Sequence, residues 1–327
     1  MGRTVIRTGA EYRDSLRDGR KVWVIGEGRV DDLTTHPATR AMVDYYVAWY
    51  DRHFDPEWQD VLRMPPDANG ERLPVAFLVP QSSDDLRRMG RSFASTLFLS
   101  AGNVTHTPAY GNLIALGILD IVQRRNPALD SVATAAQYRD WLAATGRFLT
   151  FAAGGATIGY RFRDDPADRA SLRLSKETDA GIVVSGKVGM HTSVPFVEDV
   201  YIGGVGAVPY GSQRATFVVS VAAPGVTVVC RKVAARHPNP FLAPLSSRFD
   251  ELDAQMWLDD VFIPWERVFL TEPPSETSGP LTLGPHRGEG IADWLFWHQL
   301  YGWLVKAEFT LPRLRRRYGP EGAPADY

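Results

Sequence analysis

The sequence predicts an α+β protein: a helical domain over 1–155, a middle β-sandwich or barrel domain over 156–270, a linker over 271–290 and a residual helix with its tail over 291–327. Three observations carry that reading. Apolar residues recur at helical spacing through the first half, and short β-branched runs punctuated by Gly and Pro fill the second. The length of 327 residues, at roughly 150 per domain, suggests two domains or one large one. Hydrophobic residues make up 44% and charged residues 23%, ordinary values for a globular chain. Disordered, collagen-like and disulfide-scaffold classes are thereby excluded. A formal net charge of −2 offers no global field for DNA, RNA or an anionic membrane.

The elements follow in order. Thr8 and Glu11 have the spacing of a capping box, in which each side chain serves a backbone N–H of the other. They open a helix at Tyr12 that ends at Asp18-Gly19. Lys21 to Ile25 reads as a short apolar strand closed by Gly26 to Gly28. Thr35, His36 and Pro37 precede a helix over 41–53, where Met42, Tyr45, Tyr46 and Trp49 share one face. Ser82 to Asp85 caps a helix over 86–99. Two more helices are predicted, over 112–124 and 135–151. Strands are then predicted at 181–185, 200–202, 216–222, 226–231 and 256–263, with tight turns at 203–211. The stretch 271–290 is too rich in Pro, Gly and Ser to build a core. Residues 291–311 form a helix apolar on almost every side, which needs partners on every side.

Generic catalytic motifs are absent. Gly203 to Gly206 lacks the lysine of a phosphate loop and reads as a hairpin turn. The histidines show no metal-ligand spacing, so no metal is expected. The lone cysteine, Cys230, has no partner for an internal disulfide. No G-x-S-x-G elbow is present. With no apolar leader segment at the N-terminus and no long apolar run, the expected setting is the cytoplasm.

Several segments resemble the 4-hydroxyphenylacetate 3-monooxygenase family, the large oxygenase component of two-component flavin-dependent aromatic hydroxylases. They are Thr8 to Tyr12 with Asp18-Gly19-Arg20, Asp31 to Pro37, Thr107-Pro108-Ala109-Tyr110, Lys176 to Lys187, Pro244 to Asp253 and Asp260 to Val268. The likeness runs from about residue 8 to residue 270. It implies an acyl-CoA-dehydrogenase-like fold: a helical domain, a β-domain and a C-terminal helical bundle. It also implies reduced FAD delivered by a partner reductase, and hydroxylation of a phenol.

The chain departs from that family in three ways. Where the hydroxylases generally carry an arginine just before Thr-Pro-x-Tyr, this chain has His106, although Tyr110 is kept. Where they carry a histidine a few residues beyond a Thr-Gly pair, an ungapped count from Thr145-Gly146 finds Phe151, and their Asn-Pro-Pro becomes Gly155-Ala156-Thr157. The C-terminal bundle, which supplies part of the family's flavin site, is expected to be mostly missing. From these departures the sequence favours a repurposed non-redox enzyme of specialised metabolism, without cofactor. It would close a ring in a polyketide-like substrate held in one folded pose. His106, Tyr110 and His191 would polarise a carbonyl, with Thr107, Phe151 and Gly155 lining the pocket.

Two alternatives stand beside it. One is a reduced-FAD-dependent phenol monooxygenase, either using a shortened site or completed by another subunit, with Thr192 and Ser193 near the flavin and a flavin reductase as partner. The other is a non-catalytic partner subunit. Arg248 and Asp250 read as a pair holding a loop. A homodimer or other oligomer through 291–311 is expected, with a small-molecule substrate, no nucleic acid and no membrane.

Overall fold

The computed structural model of the protein describes residues 6–68, 70–125, 129–153, 172–203, 214–235, 239, 241–272 and 291–318. Helix α1 (Gly9–Ser15) starts where the capping box puts it: the Thr8 hydroxyl accepts from Glu11 N at 3.2 Å and the Glu11 carboxylate accepts from Thr8 N at 2.7 Å. A hairpin of β1 (Val22–Val24) and β2 (Gly28–Val30) follows, then α2 (Arg40–Asp51), α3 (Gln59–Leu62) and α4 (Ser83–Leu97). Ser82 caps α4 through Asp85 N at 3.2 Å. Helix α5 (Pro108–Arg125) begins four residues before the predicted start at Asn112. Proline suits the first helical position because it has no N–H to leave unpaired there.

Helix α6 (Leu129–Thr145) stops before Phe151, where the sequence predicts its end. Gly146 takes a left-handed φ of 59°. Its N–H donates to Ala143 O at 3.3 Å, and Arg147 N donates to Leu142 O at 3.2 Å. Those paired bonds close the helix and satisfy its last carbonyls, which a residue with a Cβ does at a cost. The released residues form β3 (Leu149–Ala153), so Phe151 is strand and not helix.

The remaining strands are β4 (Arg173–Thr178), β5 (Gly181–His191), β6 (Asp199–Gly203), β7 (Arg214–Ser220), β8 (Val226–Cys230), β9 (Ala254–Pro264) and β10 (Val268–Glu272), and α7 (Ile291–Tyr318) closes the description. They build a six-stranded sheet in the order β2-β1-β8-β9-β5-β4 and a four-stranded sheet in the order β10-β7-β6-β3. Neighbours are antiparallel except β1 with β8 and β3 with β6, which run parallel. Both parallel partners come from the first 155 residues, so the helical half is stitched into each sheet. Thr271 and Glu272 end β10 and do not start the predicted linker. The rest of that linker, and the turn predicted beyond Gly203, lie outside the described residues.

Aromatic packing joins the helices to the sheets. Tyr12, Tyr46, Tyr50, Phe148 and Phe196 are all buried, with Tyr12 stacked on Tyr50 at 5.1 Å and Tyr46 edge-on to Phe148 at 4.9 Å. Tyr12 also donates its hydroxyl to Phe196 O at 2.8 Å. Such pairs stabilise by about 1 kcal/mol each beyond their buried area. Beside them two buried acids sit at the head of β6. Glu198 accepts from Arg7 at 2.6 Å, Ser15 at 2.9 Å and Phe148 N at 2.8 Å. Asp199 accepts from Arg147 at 2.9 and 3.1 Å and from Arg267 at 3.1 Å.

Helix α7 rests on α4 and α5 through Trp297, His298, Tyr301 and Val305. Its other side leaves Phe296, Leu300, Trp303 and Leu304 exposed. Among the described residues no helix is long and apolar enough to cross a membrane.

Candidate functional site

Helix α5 sets up the site. His106 stands just before it and Tyr110 lies in its first turn, and their rings meet edge to face with centroids 4.5 Å apart. Burial pushes the Tyr110 phenol well above its ordinary pKa, and the nearby Glu251 adds to the effect, so its hydroxyl stays protonated and able to donate. The hydroxyl of Thr107, at the threshold of α5, is buried and has no partner among the described residues.

Three elements converge on His106. Glu251, on the approach to β9, lies with Oε1 3.1 Å from His106 Nδ1 and 3.3 Å from His106 N. Ser193, just past β5, donates its hydroxyl to the same Oε1 at 3.1 Å and its N–H to Glu251 O at 3.0 Å. Tyr46 of α2 donates to His106 O at 3.0 Å and touches Ser193 Oγ at 2.9 Å. Ser193 has a φ of 65°, an unusual backbone state for a serine that the three contacts hold in place.

His298 approaches from α7. Its ring is 5.7 Å from Tyr110 and 4.6 Å from Phe93, while Gln299 beside it donates to Thr105 Oγ1 at 2.9 Å. Burial, followed by the nearness of His106, lowers the His298 pKa to about 3, and its Nδ1 has no partner among the described residues.

A second polar group lies alongside. Asp253 accepts from Thr192 at 2.7 Å and from Arg231 at 3.0 Å. Burial works to raise its pKa, but these two hydrogen bonds prevail and lower it. Arg231 also holds Asp250 at 2.5 Å, so the loop pair expected between Arg248 and Asp250 is made by Arg231. His191, at the end of β5, is driven down to a pKa of about 4 by burial against the pull of Asp253, and its buried Nε2 has no partner among the described residues. Asp253 is also within electrostatic reach of His106.

The structure thus brings His106, Tyr110 and Thr107 together, with His191 set apart across Asp253. Phe151 lies on the α5 side of β3. A Cβ on Gly111 would sit 2.7 Å from Leu149 O, so α5 presses on the Leu149 side, and strand alternation gives Phe151 the same side. There it stacks on Tyr201 at 6.3 Å. Gly155 lies outside the described residues. The Thr192 and Ser193 hydroxyls already donate to Asp253 and Glu251.

Sequence reasoning missed Glu251, Tyr46 and His298 as site residues. Glu251 is 145 residues from His106, so no local spacing links them. Tyr46 and His298 sit within apolar helix faces and read there as core.

A helical layer laced into two sheets, with an α-helical cap over a His–Tyr–Glu cluster, defines a protein of the acyl-CoA-dehydrogenase-like fold. A solved archaeal 4-hydroxybutyryl-CoA dehydratase from N. maritimus shares that fold at a TM-score of 0.69 and 16% identity, over 98% of this chain and 64% of its own. The chain belongs to the 4-hydroxyphenylacetate 3-hydroxylase N-terminal family, whose model matches residues 8–270.

The 2,4,6-trichlorophenol monooxygenase of Cupriavidus pinatubonensis is 32% identical over 93% of this chain. This chain spans 58% of that relative's length. The solved oxygenase component of 4-hydroxyphenylacetate 3-monooxygenase, complexed with FAD and 4-hydroxyphenylacetate, superposes with a TM-score of 0.79 at 27% identity, covering 94% of this chain and 63% of that one.

These findings correct two expectations. The cofactor-free, non-redox cyclase is overturned, because the matching relatives are monooxygenases and one solved relative holds FAD. The substitution at position 106 does not dismantle the site, since His106 is still an ionisable group gripped by a carboxylate. The end of β5 fits a flavin in part: the buried Nε2 of His191 lacks a partner among the described residues, whereas the Thr192 and Ser193 hydroxyls are taken.

Proposed function

We propose that this chain is the oxygenase part of a two-component, reduced-flavin-dependent monooxygenase that hydroxylates phenols. The observation that carries the reading is the His106–Tyr110 pair at the mouth of α5, with Glu251 behind it. Tyr110 donates to the substrate's phenolic oxygen, and His106 offers the nitrogen turned away from Glu251. The start of α5 favours negative charge on that oxygen through its unpaired N–H groups. Phe151, on the α5 side of β3 against Tyr201, would supply apolar wall. His191 would hold the flavin through its unpaired Nε2. Reduced flavin, when bound, supplies two electrons that, with two from the ring, take O2 to a ring hydroxyl and water. A flavin reductase is the implied partner.

A homodimer through 291–311 accompanies the reading, supported by the exposed Phe296, Leu300, Trp303 and Leu304. Light scattering checks it, and a clean monomer counts against it.

The test of the main reading is an anaerobic titration of the purified chain with reduced FAD, followed by aeration with a phenol. Micromolar binding and a hydroxylated product are expected. No binding at ~100 μM, a site weaker than about −5.5 kcal/mol, overturns it.

A further inference from the structure

We infer that His106 Nε2 takes the proton of the phenol and that Glu251 is the residue that positions His106 for it; the inference rests on the phenol-hydroxylating reading above. Glu251 grips residue 106 twice, at the ring Nδ1 and at the backbone N–H, through a single oxygen that Ser193 also engages. The backbone bond fixes where residue 106 sits, and the ring bond fixes how its imidazole turns. A carboxylate only accepts, so the neutral ring carries its proton on Nδ1 and its lone pair on Nε2. In an imidazole the two nitrogens lie on opposite sides, which turns Nε2 away from Glu251. Among the described residues Nε2 has no hydrogen-bond partner, and the side chain keeps 18% of its surface accessible. The same ring meets Tyr110 edge-on.

In the step itself the phenol O–H bond breaks and an N–H bond forms at Nε2. The electron pair stays on the phenolate oxygen, which makes the ring a better nucleophile. His106 becomes an imidazolium whose counter-charge is Glu251, so no other reactant is needed. This dyad logic is that of a base oriented by an acid behind it.

The surrounding groups do not compete for the proton. Asp253 is occupied by Thr192 and Arg231. His298, its pKa lowered to about 3, stays neutral and does not repel the imidazolium near neutral pH. Tyr110 and Tyr46 are held protonated by burial.

The full chain, without flavin, is titrated with 4-nitrophenol, whose phenolate is read by absorbance as a function of pH. The bound phenol is expected to ionise at lower pH than the free one. Glu251→Gln keeps the shape and an acceptor but removes the charge, and is expected to move the bound midpoint up by about one pH unit, tenfold less phenolate. Glu251→Asp restores part of the difference. His106→Asn, which leaves Glu251 intact, abolishes the lowering while binding persists. Nitrogen-15 spectra of the wild-type histidines are expected to show His106 protonated on Nδ1. A wild-type chain that binds no 4-nitrophenol overturns both this inference and the phenol reading. One that binds it but responds to neither charge removal nor His106→Asn, or that carries the proton on Nε2, overturns the dyad alone.

Discussion

Two carboxylate centres lie within this fold, one buried and one half-buried, and they are completed to different degrees. At the head of β6, Glu198 and Asp199 receive Arg7, Ser15, a backbone N–H, Arg147 and Arg267. Arg147 and Arg267 also stack over Trp141, at 4.8 and 5.2 Å. Around Glu251 the donors are as close, but no arginine reaches it among the described residues, and the buried atoms left without a partner there are Thr107 Oγ1, His298 Nδ1 and, across Asp253, His191 Nε2, against Tyr138 Oη alone near Asp199. Native interiors leave few buried polar groups unpaired. A centre whose two acids are ringed by three arginines holds the layers together, while one held by a histidine and a serine, with more buried atoms left waiting, is shaped for something that arrives later.

The largest expected effect falls on the arginine-ringed centre. Asp199→Asn strands Arg147 and Arg267 without their counter-charge and is expected to cost about 3–5 kcal/mol, measured by urea unfolding. A loss no larger than that of a surface substitution would erase the contrast.

Acid comes next. His53, buried against Trp49, has its pKa lowered by burial to about 4, as does His191. Unfolded histidines protonate near 6.5, so between that pH and about 4 the unfolded chain binds the extra protons. Stability is therefore full above about 6.5 and falls as pH drops through this window, by roughly 3 kcal/mol for His53. Chemical unfolding across pH 4–7 checks this. His53→Gln is expected to flatten the slope while 4-nitrophenol binding is unchanged, which separates the structural histidine from the site.

His106→Asn sharpens the contrast from the other side. It is expected to lower phenol hydroxylation with reduced FAD by about 100-fold, with an unfolding free energy within about 1 kcal/mol of wild type. A smaller effect is expected at the chain's first helix, where Thr8→Ala removes one arm of the capping box and costs about 1 kcal/mol, read as a shift in thermal midpoint.

Much of the architecture was legible because its signals are local. The Thr8–Glu11 box, the Ser82 cap and the β-branched run at 226–230 act over a few residues, and the structure uses each of them. Helix α6 was read too far because apolar spacing continues through Phe148, and Gly146 was not weighed as a left-handed stop. Strands β4 and β10 carry polar residues that mask their alternation, and they form because β5 and β7 offer them an edge.

The site was legible only where a motif crosses it. Thr107, Tyr110 and His106 stood out through resemblance, as did Thr192 and Ser193. Glu251 and His298 reach the same spot from loops and helices far along the chain, and nothing in their own neighbourhoods announces it. The functional conclusion erred for a related reason. Two substitutions at family positions looked like loss of chemistry, whereas the contact with Glu251, visible only in three dimensions, shows that position 106 keeps an ionisable group in harness.

The parallel pairing of β1 with β8 and of β3 with β6 bears on how the protein is made. During synthesis β1 and β3 emerge well before the strands that complete them. Until then each is a bare edge able to pair with a neighbour on the same messenger. The tyrosines of α1 and α2 likewise wait for Phe196 before Tyr12 finds its acceptor. A nascent chain halted between the two halves is thus not a finished domain with a tail but an open template, and a chaperone that shields those edges would raise the yield of folded protein.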